Sequence, residues 1–316
     1  MAQELRKLID EYIPRVAMVK PSIDTLIVGE LVFVRDENSR GLLVASGGKG
    51  EMFIEVIRVE NRVYIPASSI KGVLRRVGEA VAKSIAFSLQ GLERDILLAH
   101  CELENEGVTH LCYDITKLLD MLRDRDSLRL LAERGYIPRD AVEEVYNQLR
   151  SEDQADKGIR RLEALVSQLC PVCRVFGGSG LAGKLRILRV EISPEDADKA
   201  VDRLTHVSID RGRRVALEGA LFVEEHAAIE KIRVGFVARN IVPDSTDYKL
   251  LVATLRTLKE LPLLLGHSKS RGLGWYRLSV AESRIAYIDF AKVVDVKQLV
   301  NAILNPFSFG VELKIW

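Results

Sequence analysis

Apolar and polar positions alternate with a period of two in several stretches of this 316-residue chain. Thr25 to Val34, Phe53 to Val59, Leu185 to Ile192 and Ile232 to Ala238 read as strands, rich in β-branched residues. Elsewhere the apolar positions recur every three or four residues. Val73, Leu74, Val77, Ala80, Val81 and Ile85 share a face of a helix that begins at Ser68 or Ser69 as N-cap and runs to about Leu92. Asp247 to Leu265 repeats the pattern, with Leu250, Leu251, Thr254, Leu255, Leu258 and Leu261 on its apolar side. Ile115 to Leu131, Asp140 to Leu149, Ile159 to Leu169, Pro194 to Arg203 and Asp295 to Leu304 read as further helices, and a short one is expected within residues 1 to 20. His206 to Val223 reads as a long hairpin, and Trp275 to Val280 as a late strand. The apolar tail, Val311 to Trp316, suits closure of the chain's own core or packing on a neighbour.

The order strand, helix, strand, then strand, helix, strand is the split βαβ layout of ferredoxin-like and RRM-like domains. The expected class is therefore α+β, a βαββαβ core carrying a helical insertion over 93–170 and a hairpin over 205–225, all within one elaborated domain, 1–316. The chain is 47% hydrophobic, enough for a large core, and no apolar run is long enough to span a membrane. Its start is charged and carries no signal-peptide stretch, so a soluble, cytoplasmic protein is expected. Net charge is only +1 although 29% of residues are charged, so any nucleic-acid surface must come from local cation clusters. Aromatic residues at 6% argue against base stacking as the main binding device.

Two stretches concentrate the chemistry. In Tyr64-Ile65-Pro66-Ala67-Ser68-Ser69-Ile70-Lys71-Gly72-Val73-Leu74-Arg75, a strand runs through proline into a helix start, where unpaired N–H groups, two hydroxyls and a lysine favour phosphate. In Gly266-His267-Ser268-Lys269-Ser270-Arg271-Gly272-Leu273-Gly274, glycines permit close backbone approach while Lys269 and Arg271 suit phosphate oxygens. The hairpin tip adds Arg211, Arg213 and Arg214. Gly177 to Lys184 is glycine-rich but lacks the spacing of a nucleotide-binding loop. The four cysteines fall in two clusters. Cys170 and Cys173 form one half of a zinc-like knuckle, and Cys101 with Cys112 supplies the other, with His100 or His110 as substitutes. Such a structural zinc would clip the insertion to the core; buried reduced thiols or a disulfide are the alternatives.

The two stretches together resemble the RAMP superfamily of CRISPR proteins. The first is similar to its "IPGSSLKGALR" segment, with Ala67 in place of glycine, and the second to its "G-x-x-S-R-G-x-G" loop. Cys170-Pro171-Val172-Cys173-Arg174-Val175-Phe176-Gly177 resembles the "CPVCRLFG" segment of type III backbone subunits, and Ile209-Asp210-Arg211 with Leu221-Phe222-Val223-Glu224 resembles their "IDR … LF-x-x-E" segment. The resemblance implies a guide (crRNA)-binding subunit of a type III effector complex in antiviral defence. It would stack head to tail with other subunits, hold RNA phosphates without regard to sequence, and kink the guide–target duplex with the hairpin as a thumb. On this reading Ser68, Ser69, Lys71, Arg75, Arg174, Gly266, Lys269, Arg271 and Gly272 contact guide RNA, and Arg211, Arg213 and Arg214 belong to the thumb. Target choice would rest on base pairing.

Subunits of the family that cleave target RNA carry a loop aspartate, which aligns here with Met52 or Phe53. Neither can act as an acid, base or metal ligand; Glu51 is the nearest carboxylate and Asp36 lies further back. No nuclease activity is expected. The rival readings are a target-cleaving RNase of the same complex using such a carboxylate, and a zinc-stapled scaffold for acidic protein partners.

Overall fold

The computed structural model describes residues 23–44, 53–60, 62–86, 102–104, 107–109, 124–133, 139–151, 167, 170–178, 181–197, 201–210 and 212–315. In chain order, its principal elements are β1 (Thr25–Arg35), α1 (Ala67–Ala86), α2 (Arg125–Glu133), α3 (Val142–Arg150), α4 (Pro171–Phe176), β2 (Leu185–Ile192), β3 (Val201–Ile209), β4 (Ala216–Ala227), β5 (Lys231–Arg239), α5 (Thr246–Glu260), β6 (Trp275–Leu278), β7 (Arg284–Asp289) and α6 (Val296–Leu304).

The central sheet runs β6–β1–β5–β2, with every neighbouring pair antiparallel. α1 lies between β1 and β2 in the chain, and α5 between β5 and β6, so each helix joins two strands that have one antiparallel strand between them. That is the split βαβ arrangement expected from the periodicity. The physical reason is visible along β1, where Thr25, Ile27, Leu31 and Phe33 are buried while Leu26, Val28 and Glu30 are half-buried. Only one face of this antiparallel sheet is fully covered. Ile27, Leu31, Phe33, Ile232, Val234 and Phe236 share a core with Ile70 and Leu74 of α1 and with Leu250, Leu251, Leu255 and Leu258 of α5. Complete burial of Ile70 and Leu74 contributes about 1.5–3 kcal/mol each. The free edge of β1 is shared: Phe33 to Arg35 pair with β6, and Thr25 to Glu30 with β7.

Several boundaries differ from the sequence expectation. α1 starts at Ala67, directly after Pro66, so Ser68 and Ser69 sit in its first turn rather than capping it. The helix expected over Pro194 to Arg203 is a single turn, Pro194–Ala197; Val201 to Arg203 already pair with Ala227 to Glu225, and strand pairing overrides the acidic helical pattern. α5 ends at Glu260 because Pro262 cannot continue it, and Leu261 is exposed; Leu263 and Leu264 pair instead with β6. The tail turns back on its own sheet: Val311 and Glu312 pair with β7, and Ile315 is 3% exposed. Within the expected insertion, the described residues form a small hairpin, Glu102–Glu104 with Gly107–Thr109, and helices α2 and α3. The helices expected within residues 1 to 20 and over Ile159 to Leu169 lie outside the described residues, apart from Ser167, which is helical. No helix among the described residues is long and apolar enough to cross a membrane.

Candidate nucleic-acid interface

α1 turns Ile70, Leu74 and Ala82 inward, a ridge of four-residue spacing. Its first turns therefore present Ser68, Lys71, Gly72 and Arg76 on the opposite side, half-buried or exposed. Arg75 follows another course. Its Nε donates to Glu79 Oε1 at 2.8 Å, Nη1 donates to the Gly177 carbonyl, and Nη2 lies 3.8 Å from Cys173 Sγ. It fastens α1 to the end of α4. Arg174 is also turned inward, 9% exposed, with Nε donating to Asp247 Oδ1 at 2.8 Å; Lys184 Nζ donates to the other carboxylate oxygen at 2.6 Å.

The glycine-rich loop is closed by backbone contacts that leave no room for side chains. Gly274 N donates to Gly41 O, Leu265 N to Gly274 O, and His267 N to Leu43 O, at 2.7–2.8 Å. Gly266 and Gly274 take φ of +78° and +74°, in the left-handed region that favours glycine. Between them Lys269–Arg271 form a 3₁₀ turn, and Trp275 Nε1 donates to Lys269 O at 2.9 Å.

This fold places the loop beside α1. Lys269 is held below the ordinary lysine range first by burial and then by the Arg76 guanidinium. Lys71 is held low by burial, then by Arg186 of β2 and by Arg75. Lys71 thus lies near Arg186 and Arg75, and Lys269 near Arg76, cations from three distant parts of the chain; among the described residues no carboxylate is within ion-pair distance of Lys71, Arg76, Arg186 or Lys269. Sequence reasoning missed Arg76 and Arg186. The signal for Arg76 was its place one residue beyond Arg75, on the other side of the helix; Arg186 shows only as a cation at a polar position of an alternating strand.

The hairpin of β3 and β4 leaves much of its apolar surface uncovered: Ile209 is 61% exposed and Val215 52%. At its tip Asp210 accepts from the Arg213 N–H at 2.9 Å, from Arg213 Nε at 3.2 Å and from the Gly212 N–H at 2.8 Å, which hold its carboxyl below the usual range. Arg213 and Arg214 are exposed; Arg211 lies outside the described residues. The hairpin root is held on both faces by two consecutive buried carboxylates. Glu225 accepts from Arg58 Nη2 at 3.0 Å and pairs with Arg203 at 3.3 Å. Glu224 accepts from Ser268 Oγ at 2.6 Å and from Arg271 Nη1 at 2.7 Å. His206 Nε2 lies 3.1 Å from the second Glu224 oxygen but off the line of a hydrogen bond.

Of the other sequence candidates, Asp36 is buried and accepts from Asn38 N, Asn38 Nδ2 and Arg277 Nε. The Asn38 N–H and then Arg277 hold its carboxyl below the usual range. It shapes the turn after β1. Glu51 and Met52 lie outside the described residues, as do Cys101, Cys112, His100 and His110; of Phe53 the backbone alone is described, paired with Val223. Cys170 and Cys173 are buried at the start of α4, Cys170 as its N-cap residue. Among the described residues no three His, Cys, Asp or Glu side chains gather where they could hold a metal ion.

No curated protein matches the chain. A family model described as RAMP superfamily matches residues 32–277, a span that contains α1, the hairpin, the glycine-rich loop and all but the last residue of β6. The chain belongs to the RAMP superfamily of CRISPR-associated proteins, which work with RNA and other subunits in CRISPR complexes.

Proposed function

We propose that this chain is a guide-RNA-binding backbone subunit of a type III CRISPR effector complex. The observation that carries the reading is the pairing of like charges, Lys71 with Arg186 and Lys269 with Arg76, partly withdrawn from water and without carboxylates among the described residues. Such crowding disfavours the folded protein by itself; phosphates supply the missing counter-charge, give affinity, and carry no sequence information. Gly72 supports the same reading. It lies inside α1, where glycine costs about 0.5–1 kcal/mol relative to alanine, yet a Cβ there would meet nothing within 4 Å. Open space beside Lys71 suits the close approach of a sugar-phosphate backbone. On this reading Ser68, Ser69, Gly266 and Gly272 also meet the guide, and Arg211, Arg213 and Arg214 make the hairpin the thumb that meets the guide–target duplex.

The test is guide-RNA binding across a salt series. Lys71→Ala with Lys269→Ala is expected to weaken binding equally for every guide sequence and to flatten the salt dependence by roughly 0.7 per cation removed. An unchanged slope would overturn the reading. The same crowding predicts that Lys71→Met melts at a higher temperature than wild type while binding RNA less tightly. It also fixes a pH response. Both lysines have depressed pKa values in the free protein, and a bound phosphate raises them again, so binding takes up protons at alkaline pH. Affinity should hold constant through neutrality and fall as pH rises through the depressed lysine range, below the ordinary 10.5.

Assembly with neighbouring subunits is part of the proposal. α6 leaves Val296, Ile303 and Leu304 at 75%, 60% and 72% exposure, a face that suits a protein contact. Ile303→Glu with Leu304→Glu is expected to leave the melting temperature within a few degrees and to abolish higher-order assembly on guide RNA, read by sedimentation. We assign the subunit no cleavage chemistry; target cleavage by the assembled complex carrying wild type or Glu51→Ala tests that assignment. Cys170, Cys173, Cys101 and Cys112 are proposed to hold a structural zinc. Two thiols one helical turn apart, with the Arg75 guanidinium beside Cys173 to favour thiolate, suit half of such a site. Metal analysis before and after chelation, with thermal melting, checks it.

A further inference from the structure

Glu224 joins the two parts of the interface that are farthest apart in role, the hairpin and the glycine-rich loop. Phe222 and Glu224 alternate on one face of β4, and His206 pairs with Phe222 across the hairpin. That face meets the loop at Ser268 and Arg271. Arg271 Nη1 bridges Glu224 Oε1 at 2.7 Å and Ser268 Oγ at 3.1 Å, and its guanidinium carbon lies 5.1 Å from the Phe222 ring centre. His206 stacks on the same ring at 5.0 Å. Ser268 takes a left-handed φ of +53° as part of this joint, an uncommon conformation that the surrounding contacts maintain. The Glu224 side chain is 3% exposed, so withdrawing the guanidinium would leave a carboxylate in the interior without its counter-charge. The joint holds Arg271 through Nη1, and its side chain is 44% exposed.

We infer that Glu224 and Arg271 are a positioning pair that sets the direction of the hairpin relative to the phosphate-binding surface, so that the loop arginine acts through the hairpin and not on phosphate itself. The inference rests on the RNA-binding reading above and narrows it: Lys71, Arg76, Arg186 and Lys269 meet the backbone, and Arg271 orients the element that carries Arg213 and Arg214. Beyond its root the hairpin has few covered residues, so its direction depends on the joint.

The experiment is a double-mutant cycle on binding of a guide–target RNA duplex. Arg213→Ala with Arg214→Ala is made in wild type and in three backgrounds, Arg271→Ala, Arg271→Lys and the isosteric Glu224→Gln. The tip substitutions are expected to weaken wild-type binding about tenfold and to change binding less than about twofold in each background, a coupling between residues that do not touch. Arg271→Lys is expected to fail as a replacement, because an ammonium lacks the planar guanidinium face that lies against Phe222 while Nη1 holds Glu224. Arg271→Ala alone is expected to leave the salt slope of guide binding unchanged, unlike Lys71→Ala. A tip effect that persists in full in the Glu224→Gln and Arg271→Lys proteins overturns the inference, as does a salt slope that falls by roughly 0.7 in Arg271→Ala with the melt unaltered. If wild type binds no RNA, the functional reading fails; non-additive melting shifts of Glu224→Gln and Arg271→Ala then still test the pair by itself.

Discussion

Asp247→Ala is expected to destabilise the protein by about 3–5 kcal/mol, the range for removing one partner of a buried ion pair. Asp247 stands in the first turn of α5, where a carboxylate also complements the helix dipole, and its side chain is 5% exposed. It accepts from Arg174 of α4 and from Lys184, and so ties three parts of the chain at one point. The Arg174 side chain is 10% exposed. Removal of the carboxylate breaks the buried pair with that guanidinium and the pair with Lys184 at once, and water cannot fully replace them. Asp247→Asn should fall between the two, since the amide oxygen still accepts a hydrogen bond but carries no charge. Urea unfolding gives the measurement. A loss below about 1 kcal/mol would mean that Arg174 swings to solvent at little cost, as an exposed pair would allow. RNA binding, measured below the melting temperature, should persist in Asp247→Asn, because the pair lies inside the protein.

Gly274→Ala is expected to be of comparable size and to damage binding as well. A Cβ at Gly274 would stand 1.8 Å from the Leu265 carbonyl oxygen, and the residue holds φ at +74°. The obstacle is backbone, so no rotamer change relieves it. The left-handed conformation alone costs about 1–3 kcal/mol for a residue with a side chain. The displaced segment carries Lys269 at one end and Tyr276 at the other, and Tyr276 is fully buried with its hydroxyl donating to Ile229 O at 2.9 Å. Gly266→Ala meets the Leu43 carbonyl at 2.2 Å and should behave alike. Gly72→Ala provides the contrast. Nothing obstructs it, so stability should rise by about 0.5–1 kcal/mol while guide affinity falls. Thermal melting and RNA titration on the same three proteins separate the backbone role of the loop glycines from the surface role of Gly72. Equal behaviour of all three would remove that distinction.

The adjacent arginines of α1 show where reading from sequence reaches its end. Arg75 and Arg76 are chemically identical, and each successive helical residue is rotated by about 100°. One is drawn under the end of α4 to Glu79 and Gly177, and the other faces Lys269. Nothing local distinguishes them. The outcome depends on where α4 packs, which is set by contacts roughly a hundred residues away in the chain. Arg174 and Arg271 teach the same lesson: both look like phosphate ligands in their motifs, and both have a buried carboxylate as partner, Asp247 and Glu224. Arg186 is the converse, a cation on an unremarkable strand that tertiary packing brings to Lys71.

Periodicity by itself determined the strands and helices of the βαββαβ core, because burial of one face of each element imposes spacings of two and of three to four on the residues. The order of four short motifs determined the family, and the glycines of the last determined a loop that only glycine can close. Tertiary structure decided which cations have a carboxylate partner among the described residues. Charge pairing is a matter of distance in space, and the carboxylates that pair with Arg174 and Arg271, like the arginines near Lys71 and Lys269, arrive from elements that the local sequence does not contain.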